Sequence, residues 1–176
     1  LDAGDNAAGA GQSLYGIWDN GAPVAAADLQ GQSFAATGVG ANGQTYRIAT
    51  HAVGPQPDAA LVGDNVISLA DYYATKKGWK LDLPSAGERI VADTTVRAGR
   101  VVASSLIPSV AACSWGGSGW IIDVDVITGN RSPALDTDND NLVNANDLVG
   151  GRWASAVQIG AVPAAASIMR SKSRTL

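Results

Sequence analysis

Residues 119–147 read G-W-I-I-D-V-D-V-I, T-G-N, R-S-P-A-L and D-T-D-N-D-N-L-V-N-A-N-D. In the first piece Ile122, Val124 and Val126 alternate with Ile121, Asp123 and Asp125, the two-residue period of a strand with one buried face. Thr128-Gly129-Asn130 supplies a turn. The last piece sets oxygen donors at the spacing of a twelve-residue calcium loop. Asp136, Asp138 and Asp140 fall at positions 1, 3 and 5, the Leu142 carbonyl at 7, Asn144 at 9 and Asp147 at 12. An ion loop following a strand rather than a helix sets the expectation for the whole chain: an all-β domain in which Ca2+ fixes a long connection between strands.

The charge distribution agrees. The 176 residues carry 12 Lys and Arg against 16 Asp and Glu, a net of −4, and the four loop aspartates account for the whole acidic excess. Carboxylates this crowded repel one another unless a cation lies among them. Two positions depart from the usual hand. Asn141 stands at position 6, where glycine is usual, and asparagine tolerates the left-handed conformation needed there. Asp147 replaces the usual Glu at position 12, which draws the shell inward and resembles the loops of dockerin modules; those carry two loops, and one is present here.

Outward from this stretch the chain is turn-rich, with 21 Gly and 7 Pro, and its 46% hydrophobic content leans on Ala and Val. Strands are predicted from Ser13 through Trp18, ending at Asn20-Gly21, and over 44–50 after the Asn42-Gly43 turn. Further strands are predicted over 78–83, 89–93, 99–107, 119–127 and 157–162, with one helical turn over 68–74 capped by Ser68. Residues 1–12 read as a flexible approach, 13–165 as the domain and 166–176, with Arg170, Lys172 and Arg174, as a basic tail.

Several functions are disfavoured. No window of about twenty apolar residues exists to span a membrane, and a charged fraction of 16% with pI near 4.7 speaks against nucleic acid as a partner. One cysteine, Cys113, makes no disulfide framework, and one histidine, His51, makes no histidine metal site. The start at Leu1, without a leader, is expected of a processed or excised product. Gly38, Gly40 and Gly43 spell G-x-G-x-x-G but read as a hairpin loop, since a strand follows. Trp18, Trp79, Trp115, Trp120 and Trp153 read as core anchors rather than a sugar platform. Asp82 and Glu88 lack the setting of a glycosidase pair, and a non-enzymatic role is expected.

Three further runs carry a resemblance: K-K-G-W-K-L-D-L-P-S-A-G-E-R-I-V-A-D over 76–93, R-A-G-R-V-V-A-S-S-L-I-P over 97–108 and A-C-S-W-G-G-S-G-W over 112–120. Together with S-L-Y-G-I-W-D-N-G from Ser13, the chain resembles the C-terminal region of the PilY/PilC family of type IV pilus tip-associated adhesins and biogenesis factors. The resemblance implies part of a quinoprotein-like β-propeller with an EF-hand-like calcium loop between strands, its ligands being Asp136, Asp138, Asp140, Asn144 and Asp147. It also implies an extracellular, cell-surface or pilus-tip location, with minor pilins or the pilus tip and a host or abiotic surface as partners. Calcium occupancy is tied in that family to the balance of pilus extension and retraction. At about 40–50 residues per blade the chain supplies three to four blades' worth of antiparallel strands and no closed ring. The alternative is therefore a self-assembling extracellular structural protein, a homopolymer or filament joined through open β edges.

Overall fold

The computed structural model describes residues 11–109 and 117–161. Its elements are β1 (Ser13–Ile17), β2 (Gln30–Val39), β3 (Thr45–Ala49), α1 (Leu69–Thr75), β4 (Gly78–Asp82), β5 (Arg89–Ile90), β6 (Thr95–Arg97), β7 (Arg100–Pro108), β8 (Gly117–Asp125) and β9 (Ala156–Ile159). Hydrogen bonds join them in the order β1-β4-β2-β3-β9-β8-β7-β5, with β6 also on β7. Every pair is antiparallel except β2 with β4. The all-β expectation holds, with a single α-helix among the described residues.

The strands do not divide into the separate four-stranded sheets that propeller blades would form. One path runs through them because β2 serves two partners. Residues 30–33 pair with β4, the register shifts between Phe34 and Ala36, and the remainder pairs with β3, a bulge that bends the strand between its neighbours. The sheet then curls on itself into a nearly closed, barrel-like form. Trp79 and Leu81 of β4 meet Val101 of β7 and Ile122 and Val124 of β8 in the main core. Trp79 is fully buried, and its indole N–H donates to the Val126 carbonyl at 3.0 Å. A Cβ on Gly129, at φ +67°, would lie 2.6 Å from that indole, so the turn predicted at 128–130 needs glycine there.

A second, smaller core joins Tyr46, Ile48, Val149 and Ala154, with Ala36, Leu61, Leu135 and Val157 against it. Leu135 and Val149 flank the acidic loop, so both of its ends are anchored in apolar packing. Helix α1 begins where expected, with the Ser68 hydroxyl accepting from the Asp71 N–H at 3.0 Å. Strand β2 was not expected. Its burial alternates cleanly, but the inward positions are Gln30, Gln32, Phe34, Ala36 and Gly38, and such a face has almost no hydrophobic period. The strand expected over 89–93 is confined to β5, and β6 follows it unannounced. Residues 1–10 of the approach segment, Cys113, Trp115 and the basic tail over 166–176 lie outside the described residues.

The long connection from β8 to β9 is held by Arg131, which is 1% exposed. Its guanidinium meets Asp58 at 2.8 Å and Asp64 at 2.9 Å, and it also donates to the carbonyls of Ala49 and Ala59. Asp58 accepts in turn from the Trp153 N–H at 2.7 Å, and Asp64 from the His51 N–H at 2.6 Å. Desolvation opposes the Asp64 charge, yet the bonds from Arg131, His51 and Leu61 outweigh it and hold its pKa below the ordinary value. Replacing Arg131 with Met strands two buried carboxylates, a loss of about 3–5 kcal/mol. Urea unfolding of Arg131→Met should show that loss, whereas Lys80→Met, at a half-exposed surface pair, should leave the urea midpoint nearly unchanged.

Candidate metal centre

The acidic loop lies between β8 and β9, as its sequence context predicts, and it is shaped by its own carboxylates. Asp136 accepts from the N–H of Asn139 at 2.6 Å and of Asn141 at 2.8 Å. Asp138 accepts from the Asp140 N–H at 3.1 Å, and Asp140 from the Leu142 N–H at 2.7 Å. These bonds wind the chain tightly, with Asn139 at φ 65° and Asn141 at φ 68°. Position 6 thus takes the left-handed conformation that its asparagine was expected to tolerate, and position 4 takes it too.

Asp147 closes the loop from a different environment. It is fully buried, and its two oxygens accept from the Thr137 N–H at 2.5 Å and the Asn144 N–H at 2.8 Å. A 3-10 turn, Ala145–Asp147, follows Asn144, whose side chain caps it by accepting from the Asn146 N–H at 2.9 Å. Only this single turn leaves the loop, so the likeness to a helix-loop-helix hand is limited to the loop.

Asp136, Asp138 and Asp147 each present an oxygen such that all three lie within 4.8 Å of one another. Asp140 is exposed and stands outside this group; its second oxygen faces the Asn144 amide at 3.4 Å. Leu142 is 64% exposed, consistent with a role through its carbonyl alone. Of the six predicted ligands, the structure gathers three as carboxylates and leaves Asp140, Leu142 and Asn144 beside them on the loop.

The electrostatics match a hard cation. Desolvation opposes the Asp136 charge, but the N–H groups of Asn141, Asn139 and Asp138 prevail and lower its pKa. At Asp138 the Asp140 N–H favours the carboxylate, yet desolvation and the negative charges of Asp140 and Asp147 outweigh it and raise the pKa. An all-oxygen set with unrelieved negative charge suits Ca2+ better than a soft transition metal.

The β2–β3 hairpin supports the loop from below, a contribution that the spacing of the acidic residues does not disclose. The Asn42 N–H donates to the Thr137 carbonyl at 2.9 Å, and the Asn42 amide reaches Tyr46 at 2.8 Å and Asn139 at 3.2 Å. A Cβ on Gly40 would lie 2.6 Å from the Tyr46 ring and 2.9 Å from the Thr137 carbonyl oxygen. The glycine-rich stretch read as a hairpin loop is therefore a platform under the ion loop. The other candidates are structural. Glu88 is 1% exposed and bonded to Arg47 at 2.7 Å and Ser105 at 2.5 Å, with the Arg47 guanidinium 3.9 Å from the Trp120 ring centre. Asp82 accepts from Ser13 at 2.7 Å and pairs with Lys80 at 2.8 Å.

The chain is 31% identical over 136 residues to a type IV pilus biogenesis factor PilY1 homolog of Xylella fastidiosa, a match over 74% of this chain and 8% of the relative. The chain belongs to the PilY1 family. Its fold matches the crystal structure of the Pseudomonas aeruginosa PilY1 C-terminal domain, with a TM-score of 0.62 at 20% identity, over 86% of this chain and 32% of that one. The chain thus spans about a third of the PilY1 domain it resembles and a small fraction of the curated relative. No protein-family model matches it.

Substituting Gly40 with Ala forces Tyr46 and the Thr137 backbone to move, an overpacking cost of about 1–3 kcal/mol. Gly40→Ala should lower the urea midpoint and weaken calcium-dependent stabilisation, whereas Gly31→Ala, whose Cβ meets nothing within 4 Å, should leave calcium-dependent stabilisation unchanged.

Proposed function

We propose that this chain is a calcium-binding module of a type IV pilus tip protein, serving pilus biogenesis and surface adhesion from an extracellular position. The observation that carries the calcium part is the convergence of Asp136, Asp138 and Asp147 in a loop whose ends, Leu135 and Val149, are fixed in the second core. Asp140, Asn144 and the Leu142 carbonyl complete the shell. The similarity to a type IV pilus biogenesis factor supports the pilus part. Minor pilins or the pilus tip, and a host or abiotic surface, are its partners in this reading. In this reading any propeller ring would be completed by further chain, since the present one covers 32% of the PilY1 C-terminal domain it matches.

Calcium acts here by stabilising one conformation of the connection. A ligand bound only to the folded state adds RT ln(1 + [L]/Kd), so millimolar calcium at a site of Kd about 10⁻⁴ M contributes roughly 1.4 kcal/mol. Self-assembly is the second reading, favoured by one observation. Strand β1 pairs only with β4 among the described residues, and its Tyr15 and Ile17 are 51% and 53% exposed, a neutral edge open to strand addition.

Calorimetric titration with Ca2+, with native mass spectrometry alongside, tests both. One ion per chain, a calcium-dependent rise in Tm that Asp138→Asn removes and Asp140→Ala reduces, and a monomer mass support the first reading. Equal calcium-dependent stabilisation in the parent and Asp138→Asn contradicts the ligand assignment, and masses at multiples of the chain favour the second.

A further inference from the structure

The chain holds two Asn-Gly dipeptides, Asn20-Gly21 after β1 and Asn42-Gly43 between β2 and β3. Their backbones are alike. Gly21 lies at φ +74° and Gly43 at φ +80°, and a Cβ on either would meet nothing within 4 Å. In each turn the asparagine Oδ1 accepts from the N–H two residues on, Ala22 at 3.1 Å and Gln44 at 3.0 Å. Such an Asx-turn folds the side-chain amide back along the following peptide, and the N–H on Oδ1 stabilises negative charge that develops there.

The two sites differ in what holds the reacting groups. The Gly21 N–H donates to Asp19 Oδ1 at 3.0 Å, a carboxylate that can take its proton, within the reach of about 2.6–3.2 Å that a general base requires. The Gly43 N–H donates instead to the Gly40 carbonyl at 3.0 Å, which is no base. Asn20 is exposed, and its Nδ2 has no hydrogen-bond partner among the described residues. Asn42 is partly buried, and its Nδ2 is pinned by the Tyr46 hydroxyl at 2.8 Å and Asn139 Oδ1 at 3.2 Å.

We infer that Asn20 is a site of self-modification, converting through a cyclic imide to aspartate and isoaspartate with Asp19 as the base, and that the fold protects the same dipeptide at Asn42. Asp19 takes the proton from the Gly21 nitrogen, which bonds to Asn20 Cγ. The Cγ–Nδ2 bond breaks, and Nδ2 leaves as ammonia with the proton that Asp19 received. Water then opens the imide. Cleavage of the new bond to Cγ gives aspartate, and cleavage of the original peptide bond gives isoaspartate. Either product adds a negative charge beside Asp19 in the turn that leaves β1, and isoaspartate also lengthens the backbone by one carbon. Protection at Asn42 preserves the support of the acidic loop, since Asn42 holds the Thr137 carbonyl and Asn139. The inference depends on neither calcium nor the pilus reading.

The test keeps the 176-residue chain in mildly alkaline buffer, folded and in urea, and samples it over time. Peptide mass spectrometry with electron-transfer fragmentation measures each conversion and separates isoaspartate from aspartate. In the folded chain Asn20 should convert at least about tenfold faster than Asn42, and in urea, where both dipeptides lose these partners, the two rates should converge. Asp19→Asn keeps an acceptor for the Gly21 N–H but removes the base, and should slow Asn20 at least about tenfold while Asn42 keeps its parent rate. Equal rates at Asn20 and Asn42 in the folded chain overturn the inference. So do an Asn20 rate unchanged in Asp19→Asn, and no conversion of Asn20 in the folded chain while the chain in urea converts.

Discussion

One buried cation holds the irregular half of this molecule in place. Arg131 enters on the connection that leaves β8, and Asp58 and Asp64 come from the segment that leaves β3. Two long excursions with little regular structure are thereby tied to each other, and through the Trp153 N–H on Asp58 the same pair reaches the approach to β9. A charge cluster of this kind contributes little net stability compared with apolar packing of the same volume, but losing one member is severe. Its value lies in fixing geometry. The acidic loop between Arg131 and Trp153 therefore starts and ends at fixed points.

The apolar cores divide the remaining work. The main core closes the sheet on itself around Trp79, and the second anchors Leu135 and Val149 on either side of the loop. Beneath the loop, Gly40 allows the β2–β3 hairpin close enough for Asn42 to hold the Thr137 carbonyl. The three carboxylates are thus set on a rigid platform while their own negative charges remain in conflict. Rigid support with unrelieved charge is the arrangement on which the proposed cation site rests.

Much of this could be read in the sequence where a local rule governed the outcome. The alternation in 119–127 located β8, the 1-3-5-7-9-12 spacing located the loop, and Ser68 marked the start of α1. Strand β2 was illegible because its inward face is built from Gln, Ala and Gly around a single Phe, and its recognition depends on having β4 and β3 on either side. The blade arrangement came from the resemblance alone, and the sharing of β2 between two partners across a bulge leaves no periodic trace. Asp58, Asp64 and Arg131 are separated by as many as 73 positions, and only the folded chain shows that they meet. Within the loop the spacing brought Asp136, Asp138 and Asp147 into view, whereas the exposed position of Asp140 outside that group is seen only in the folded chain.

The most direct test is a crystal structure grown with terbium in place of calcium, located by its anomalous scattering. The account predicts one strong peak coordinated by Asp136, Asp138 and Asp147, with the Arg131 cluster and the β2–β3 hairpin as described here. A peak elsewhere on the chain with none at that position, or a loop whose carboxylates point apart in the presence of the ion, would contradict it.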